Sequence, residues 1–459
     1  MRLFTSLAAL ALFSALSACV AAPPAQVSKA LSEGNAARDA LPAMQAFAPA
    51  APIPASRGNT EMAGDFLDLV FRMESGRALP VLTRFEGPIT VALTGAVPAT
   101  APAEAARVVA RLRAEAGLDI ALVPAGRAAS VTVEFQPRSA LRRAVPTAAC
   151  FVVPNVASLG EYKRLRGAAV TDWGRITRRD KVAIFVPSDT NPQEVRDCLH
   201  EELAQALGPL NDLYRLPDSV FNDDNFHAVL TGFDMLMLRV HYAAELRSGM
   251  NEAEVAARLP ALLARLNPRG QGIGGGPKGL SPRSWIATVE KTFTAQNGAR
   301  LDGAERMVSI ARAQGWQDTR MAFGHFARAR GRMPGDPAGA LADYREAARL
   351  WRAQPGAAIH VAHAEMQLAA FALSAGQMDQ ALALAEAAIP VARRHQNASL
   401  LSSLLAMKAE ALEAMGRAEA ARAARLDSLG WARYAFGSEA QARARMQEIA
   451  ALAAQGRRG

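Results

Sequence analysis

Beyond Leu16 no apolar run approaches the roughly 20 residues that a transmembrane helix needs, so the remaining chain is expected to lie on one side of a membrane. No compact Lys/Arg block with interleaved aromatics accompanies the net charge of +9, which comes from arginines spread along the sequence. That pattern excludes a nucleic-acid-binding stripe and leaves surface and membrane compatibility as the reading. The glycines from Gly270 to Gly279 follow no strand, and Lys278 lacks the spacing of a phosphate loop, so neither a dinucleotide nor a nucleotide triphosphate site is expected there. Cysteine is rare, with three copies. Cys150 and Cys198 form an even pair that an oxidising compartment would join as a disulfide, two buried thiols being the alternative.

What is present begins with Arg2 and an apolar stretch from Leu3 to Leu16, the pattern of a secretion signal. It ends in Leu16-Ser17-Ala18-Cys19, which resembles the lipobox of bacterial lipoproteins. The resemblance implies removal of residues 1–18, lipid on Cys19 and a lipid membrane as partner. The side expected is the periplasm. Val20, not aspartate, follows the cysteine, which favours the outer over the inner membrane. Residues 19–57 are rich in Ala and Pro, have no sustained period, and read as a tether.

With 459 residues and half of them hydrophobic, two domains are expected. The first, 58–268, is mixed. ITVALTG, ASVTVEF, CFVVPN and KVAIFVPSD read as strands, and TAPAEAARVVARLRAEAGL has helical spacing. Asn191-Pro192-Gln193-Glu194 supplies an N-cap, a first-turn proline and an acidic capping-box partner for a helix through Leu207, stopped by Gly208. Helices follow around GFDMLMLRVHYAAEL and EAEVAARLPALLARL. Residues 269–300 form a Gly-rich connector and a helix.

From 301 to 459 the chain is Ala-rich and helical, with an internal echo. Gly376-Gln377-Met378-Asp379-Gln380-Ala381 returns as Gly416-Arg417-Ala418-Glu419-Ala420-Ala421, and a weaker copy runs through Gly339-Ala340-Leu341-Ala342-Asp343-Tyr344. This resembles tetratricopeptide-type repeats, with a non-repetitive bundle as the alternative. Such a stack implies a concave surface that takes a protein or peptide partner.

The most informative stretch is Glu201-Glu202-Leu203-Ala204-Gln205-Ala206-Leu207-Gly208-Pro209-Leu210-Asn211. It resembles the metzincin zinc-protease motif H-E-x-x-H-x-x-G-x-x-H, in which two ligands share a helical face, a glycine turns the chain, and a third ligand returns. The three ligand positions carry Glu201, Gln205 and Asn211, and the general-base position carries Glu202. KVAIFVP resembles the metzincin edge strand, and Ser219-Val220-Phe221 stands where the turn beneath the metal would fall. The whole arrangement is similar to a family of exported bacterial proteins known as domain of unknown function 2927. The implied fold is an α+β zincin-like domain followed by an all-α, tetratricopeptide-like domain.

Neutral amide oxygens from Gln205 and Asn211 match zinc badly, so no zinc and no other cofactor is expected, though oxygen donors from Glu201, Gln205, Asn211 and Asp212 leave a calcium-like ion open. His200 lies about 100° around the helix from Glu201 and cannot replace it as first ligand. His227 and His241 are the remaining histidines that a rearranged site could recruit. The leading expectation is therefore a membrane-anchored periplasmic lipoprotein with a non-catalytic pseudo-metallopeptidase domain and a protein-binding repeat domain. The alternative is a hydrolase of peptide or peptidoglycan that uses Glu202 as general base with a non-standard metal site.

Overall fold

The computed structural model describes residues 42–146, 148–295 and 298–456. The signal segment, Cys19 and the first part of the tether lie outside the described residues.

The mixed part begins with helix α1 (Asn59–Val70), which the sequence reading did not anticipate. Strand β1 (Ile89–Gly95), helix α2 (Ala101–Ala116) and strands β2 (Ile120–Leu122) and β3 (Val131–Gln136) follow. Next come α3 (Arg138–Ala144), β4 (Phe151–Pro154), α4 (Leu159–Leu165) and β5 (Val182–Pro187). The five strands form one sheet in the order β2-β1-β3-β5-β4, parallel except for β4, which runs against β5. KVAIFVP is thus an interior strand, paired on both sides, and not the expected edge. Its composition explains the position. Val182, Ile184 and Val186 enter the main core on one face, while Ala183 and Phe185 join Leu141, Val153 and Leu159 on the other. A strand buried on both faces needs an unbroken apolar run.

Helix α5 (Pro192–Leu207) follows β5 and carries the motif. Asn191 Oδ1 accepts the Glu194 amide at 2.9 Å, the expected cap. The capping-box reciprocal is absent, because the Glu194 carboxylate pairs with Arg138 at 2.5 Å and takes the Thr190 hydroxyl. Cys150, just before β4, is joined to Cys198 of α5 as a disulfide that ties the sheet edge to this helix. Beyond an irregular stretch come α6 (Gly232–His241), shorter than the sequence pattern implied, α7 (Glu252–Ala256) and α8 (Leu259–Leu266).

The remaining helices are α9 (Arg283–Thr294), α10 (Gly298–Ala313), α11 (Thr319–Arg332), α12 (Pro337–Arg352), α13 (Ala358–Ser374), α14 (Met378–Arg394), α15 (Ala398–Ala414), α16 (Ala418–Phe436) and α17 (Glu439–Gly456). Consecutive members pack on one another across short connections, as antiparallel hairpins do. The echo Gly376/Gly416 marks two equivalent turns, both with left-handed glycines at φ 74° and 75°. The weaker copy is displaced from the expected Gly339 start. Ala340, Ala381 and Ala421 are all fully buried at the same depth in α12, α14 and α16, so the equivalent turn is at Gly335. Methyl-sized side chains at those points let neighbouring helices approach closely.

Two findings overturn expectations about how the parts relate. The irregular stretch after α5 leaves the sheet core and inserts into the helical one. Tyr214 packs on Trp285, with ring centroids 5.1 Å apart. Phe226 lies against Phe326, Trp351, His360 and His363 at 5.3, 5.6, 4.9 and 4.6 Å. The repeat face that the sequence reading left for an outside partner is, around α11 and α13, occupied by the chain itself. Residues 42–57 are likewise not a free tether. Phe47 stacks on Trp431 at 4.2 Å, the Gln45 amide donates to the Gly430 carbonyl at 3.1 Å, and Gln396 Nε2 donates to the Ala48 carbonyl at 2.8 Å. The strap ends at Arg57, 3% exposed, whose guanidinium binds Glu61, Asp65 and Asp218.

Candidate functional site

The C-terminal half of α5 is held by a buried cation. Arg179, 2% exposed and stacked over Trp173, donates to the carbonyls of Gln205, Ala206 and Gly208 at 2.6, 2.7 and 2.5 Å. These are among the carbonyls a helix end leaves without partners, and a positive charge there also suits the helix dipole. Gly208 is needed for space rather than for an unusual φ. A Cβ on it would stand 2.9 Å from the His241 ring. The chain then turns along α1, where the Leu210 amide donates to the Leu69 carbonyl at 2.9 Å.

The three positions equivalent to ligands do not converge as ligands. Asn211 Nδ2 donates to the Asp68 carbonyl at 2.9 Å, and Gln205 Nε2 reaches Asp212 at 3.4 Å. The histidines are committed elsewhere. His200 Nδ1 accepts the Leu230 amide at 3.2 Å, His241 Nε2 meets the Thr83 carbonyl at 3.1 Å, and His227 Nε2 meets the Pro217 carbonyl at 3.2 Å. Among the described residues no three His, Cys, Asp or Glu side chains are arranged to hold a metal ion. The donor set of a tetrahedral zinc site does not fit these residues.

Ser219, Val220 and Phe221 lie between that segment and α6. The Phe221 carbonyl accepts the Leu213 amide at 2.8 Å, while Ser219 Oγ donates to Asp234 at 2.5 Å. Asp234 also accepts the Thr231 amide at 2.7 Å and so closes the capping box of α6. Phe221 is fully buried. The turn is therefore a packed brace between Leu213 and α6.

What the fold does gather around Glu201 and Glu202 is carboxyl groups. Glu202, 4% exposed, has an Oε2 with no hydrogen-bond partner, while the Asp212 carboxyl shares a hydrogen bond with that of Glu74. Burial raises the Glu202 carboxyl well above the usual range, and Glu201 and Glu74 push it the same way. Asp212 is raised by burial and then by Glu74, Glu201 and Asp223. Burial, followed by Asp223 and Glu74, pushes Glu201 up to about 8. Asp223, which accepts the Tyr214 hydroxyl at 2.5 Å, is pushed up to about 6, chiefly by burial. Glu202 and Glu201 were legible as a pair in the motif. Glu74 carried no signal, since it follows α1 in an unremarkable turn, whereas the Asn222-Asp223-Asp224-Asn225 run offered an acidic cluster whose destination only the fold sets.

Burial and the neighbouring carboxyls disfavour the ionised form of Glu202, which makes it a poor general base. The arrangement suits attraction of positive charge better than activation of water. No curated protein and no solved structure matches the chain. Residues 59–261, from the start of α1 into α8, match the family described as protein of unknown function (DUF2927).

Proposed function

We propose that this chain is an exported envelope lipoprotein, anchored through Cys19, whose first domain is a metzincin-like scaffold turned from peptide cleavage to recognition. The observation that carries the reading is the fate of the ligand positions: the Asn211 and Gln205 amides are spent on Asp68 and Asp212, while every histidine near the scaffold serves its framework. The helical repeats supply the second binding element. Since part of their face holds Phe226, the surface left for a protein partner includes a groove of about 270 Å³ between α12, α13 and α14, lined by Leu341, Arg345, Leu368, Phe371, Gln380 and Leu384. Among the described residues no helix is long and apolar enough to cross a membrane, which is compatible with attachment by lipid alone.

Metal analysis and peptidase assays on the purified protein test the first domain. Substoichiometric zinc and no turnover are expected. Stoichiometric zinc together with cleavage abolished by Glu202→Gln would establish the hydrolase instead. Metabolic labelling with a fatty acid tests the anchor, with Cys19→Ala expected to lose the label and retention of label overturning it.

A further inference from the structure

We propose that the carboxyl cluster at Glu202 is a pocket for a guanidinium group, supplied by an arginine side chain of a peptide or protein segment. The proposal rests on the recognition reading above and names what is recognised. Exposure falls steadily through the cluster. Glu74 is exposed, Asp223 is exposed as a residue although its carboxyl is turned in against the Tyr214 hydroxyl, Glu201 and Asp212 are half-buried, and Glu202 lies deepest. Burial thus deepens from Glu74 to Glu202. The floor carries the independent sign of a missing ligand, since Glu202 Oε2 is shut away from solvent without a donor, whereas the Asp212 carboxyl shares a hydrogen bond with that of Glu74. Buried polar oxygens are ordinarily partnered, and each exception calls for an explanation.

The charges that act on Glu202 are those of Glu201 and Glu74, both of which repel it. Arg215, Arg72 and Arg283 give the cluster's carboxylates no hydrogen bond, although Arg215 keeps a buried Nη1 without a partner. Arg215 binds Asp65 and Asp68, Arg72 binds Glu252, and Arg283 donates to the Glu74 backbone carbonyl and not to its carboxylate. Glu290 adds a further negative charge beside Asp223. The deficit is of positive charge with N–H donors.

Between a metal ion and an organic cation, spacing decides. A metal ion draws its oxygens to about 2.0–2.6 Å of one point, and no three acidic or imidazole side chains among the described residues are so disposed. A guanidinium presents five N–H donors on a planar fork and pairs with carboxylates spread around it. It also remains charged at any pH at which the protein folds, so it can hold the carboxyls ionised.

The test is titration of the purified full chain with a fluorescent, end-capped peptide containing one arginine, beside matched peptides with citrulline or norleucine. One-site binding is expected for the arginine peptide, weakened at least about tenfold by citrulline, the loss that follows from removing a charge-assisted bidentate pair. Glu202→Gln and, independently, Asp223→Asn should each weaken binding, with unchanged circular dichroism. Equal affinity for arginine and citrulline peptides would overturn the proposal. So would stoichiometric calcium or terbium binding that Glu202→Gln removes, which would make the pocket a metal site. Cleavage of the arginine peptide would instead overturn the non-catalytic reading while leaving the pocket's preference standing.

Discussion

At the scale of single residues, the clearest consequences come from buried charge. Glu201 titrates near 8 in the folded protein, against about 4 for a glutamate in an unfolded chain. A carboxyl raised on folding stabilises fully below its unfolded pKa, and that contribution is lost as pH rises through the folded value. The thermal midpoint of the unliganded protein should therefore decline from about pH 4 to about pH 8, and Glu201→Gln should flatten the decline. Differential scanning fluorimetry across pH decides it, and an unchanged slope in the variant would count against a repulsive cluster. Arg179 has the opposite role, as the donor to three carbonyls at the end of α5. Arg179→Met keeps most of the bulk over Trp173 but strands those acceptors, so a loss of about 3 kcal/mol is expected in urea unfolding.

Among the elements, the strap of residues 42–57 behaves as an additional packed segment, although its Ala/Pro composition reads as a linker. Phe47, 7% exposed between Trp431 and Tyr434, is its anchor. Phe47→Ala should cost about 3 kcal/mol, as aromatic truncation in a core does, and should open this segment to proteolysis ahead of the rest. Equal protease resistance in the variant and the parent would show that the hydrogen bonds of Gln45 and Gln396 suffice. The disulfide is the other tie between elements. Cys150 and Cys198 enclose 48 residues of sequence separation, for which the chain-entropy account gives about 4 kcal/mol. Reduction should lower the unfolding midpoint accordingly, and β4 should gain amide exchange first because it is the sheet edge.

On the scale of the whole molecule, the joint between sheet and helices is lined with histidine. His227 lies 5.4 Å from His360 and 5.6 Å from His395 by ring centroid, and His360 pairs with Asp224 at 2.6 Å. Burial pushes His363 down to about 3 and His395 to about 4, with neighbouring His360 adding to both. A histidine lowered on folding costs stability once the unfolded chain takes up its proton, so stability should fall from about pH 6.5 toward 4. His395→Gln should shrink the acid loss, as measured by unfolding at pH 5 and 7, whereas an equal loss would place the sensitivity elsewhere.

Local features were legible without coordinates because they depend on neighbours in sequence. Asn191 and Pro192 announce the start of α5, apolar alternation announces β1 and β3, and the Gly376/Gly416 echo announces two like turns. The even pair Cys150 and Cys198 left a disulfide or two buried thiols open, and the fold decided for the disulfide. The sequence by itself thus determined a mixed domain followed by stacked helices, and the identity of the polar residues in the motif's frame. Tertiary structure alone decided where those residues point and what they meet. Glu74 and Asp223 arrive at the α5 cluster from distant turns, Phe226 fills the helical core from a loop of the other domain, and the strap lies down because Trp431 and Gly430 await it. Such pairings are set by long-range burial, in which an apolar or charged side chain takes the partner that the completed fold brings within reach.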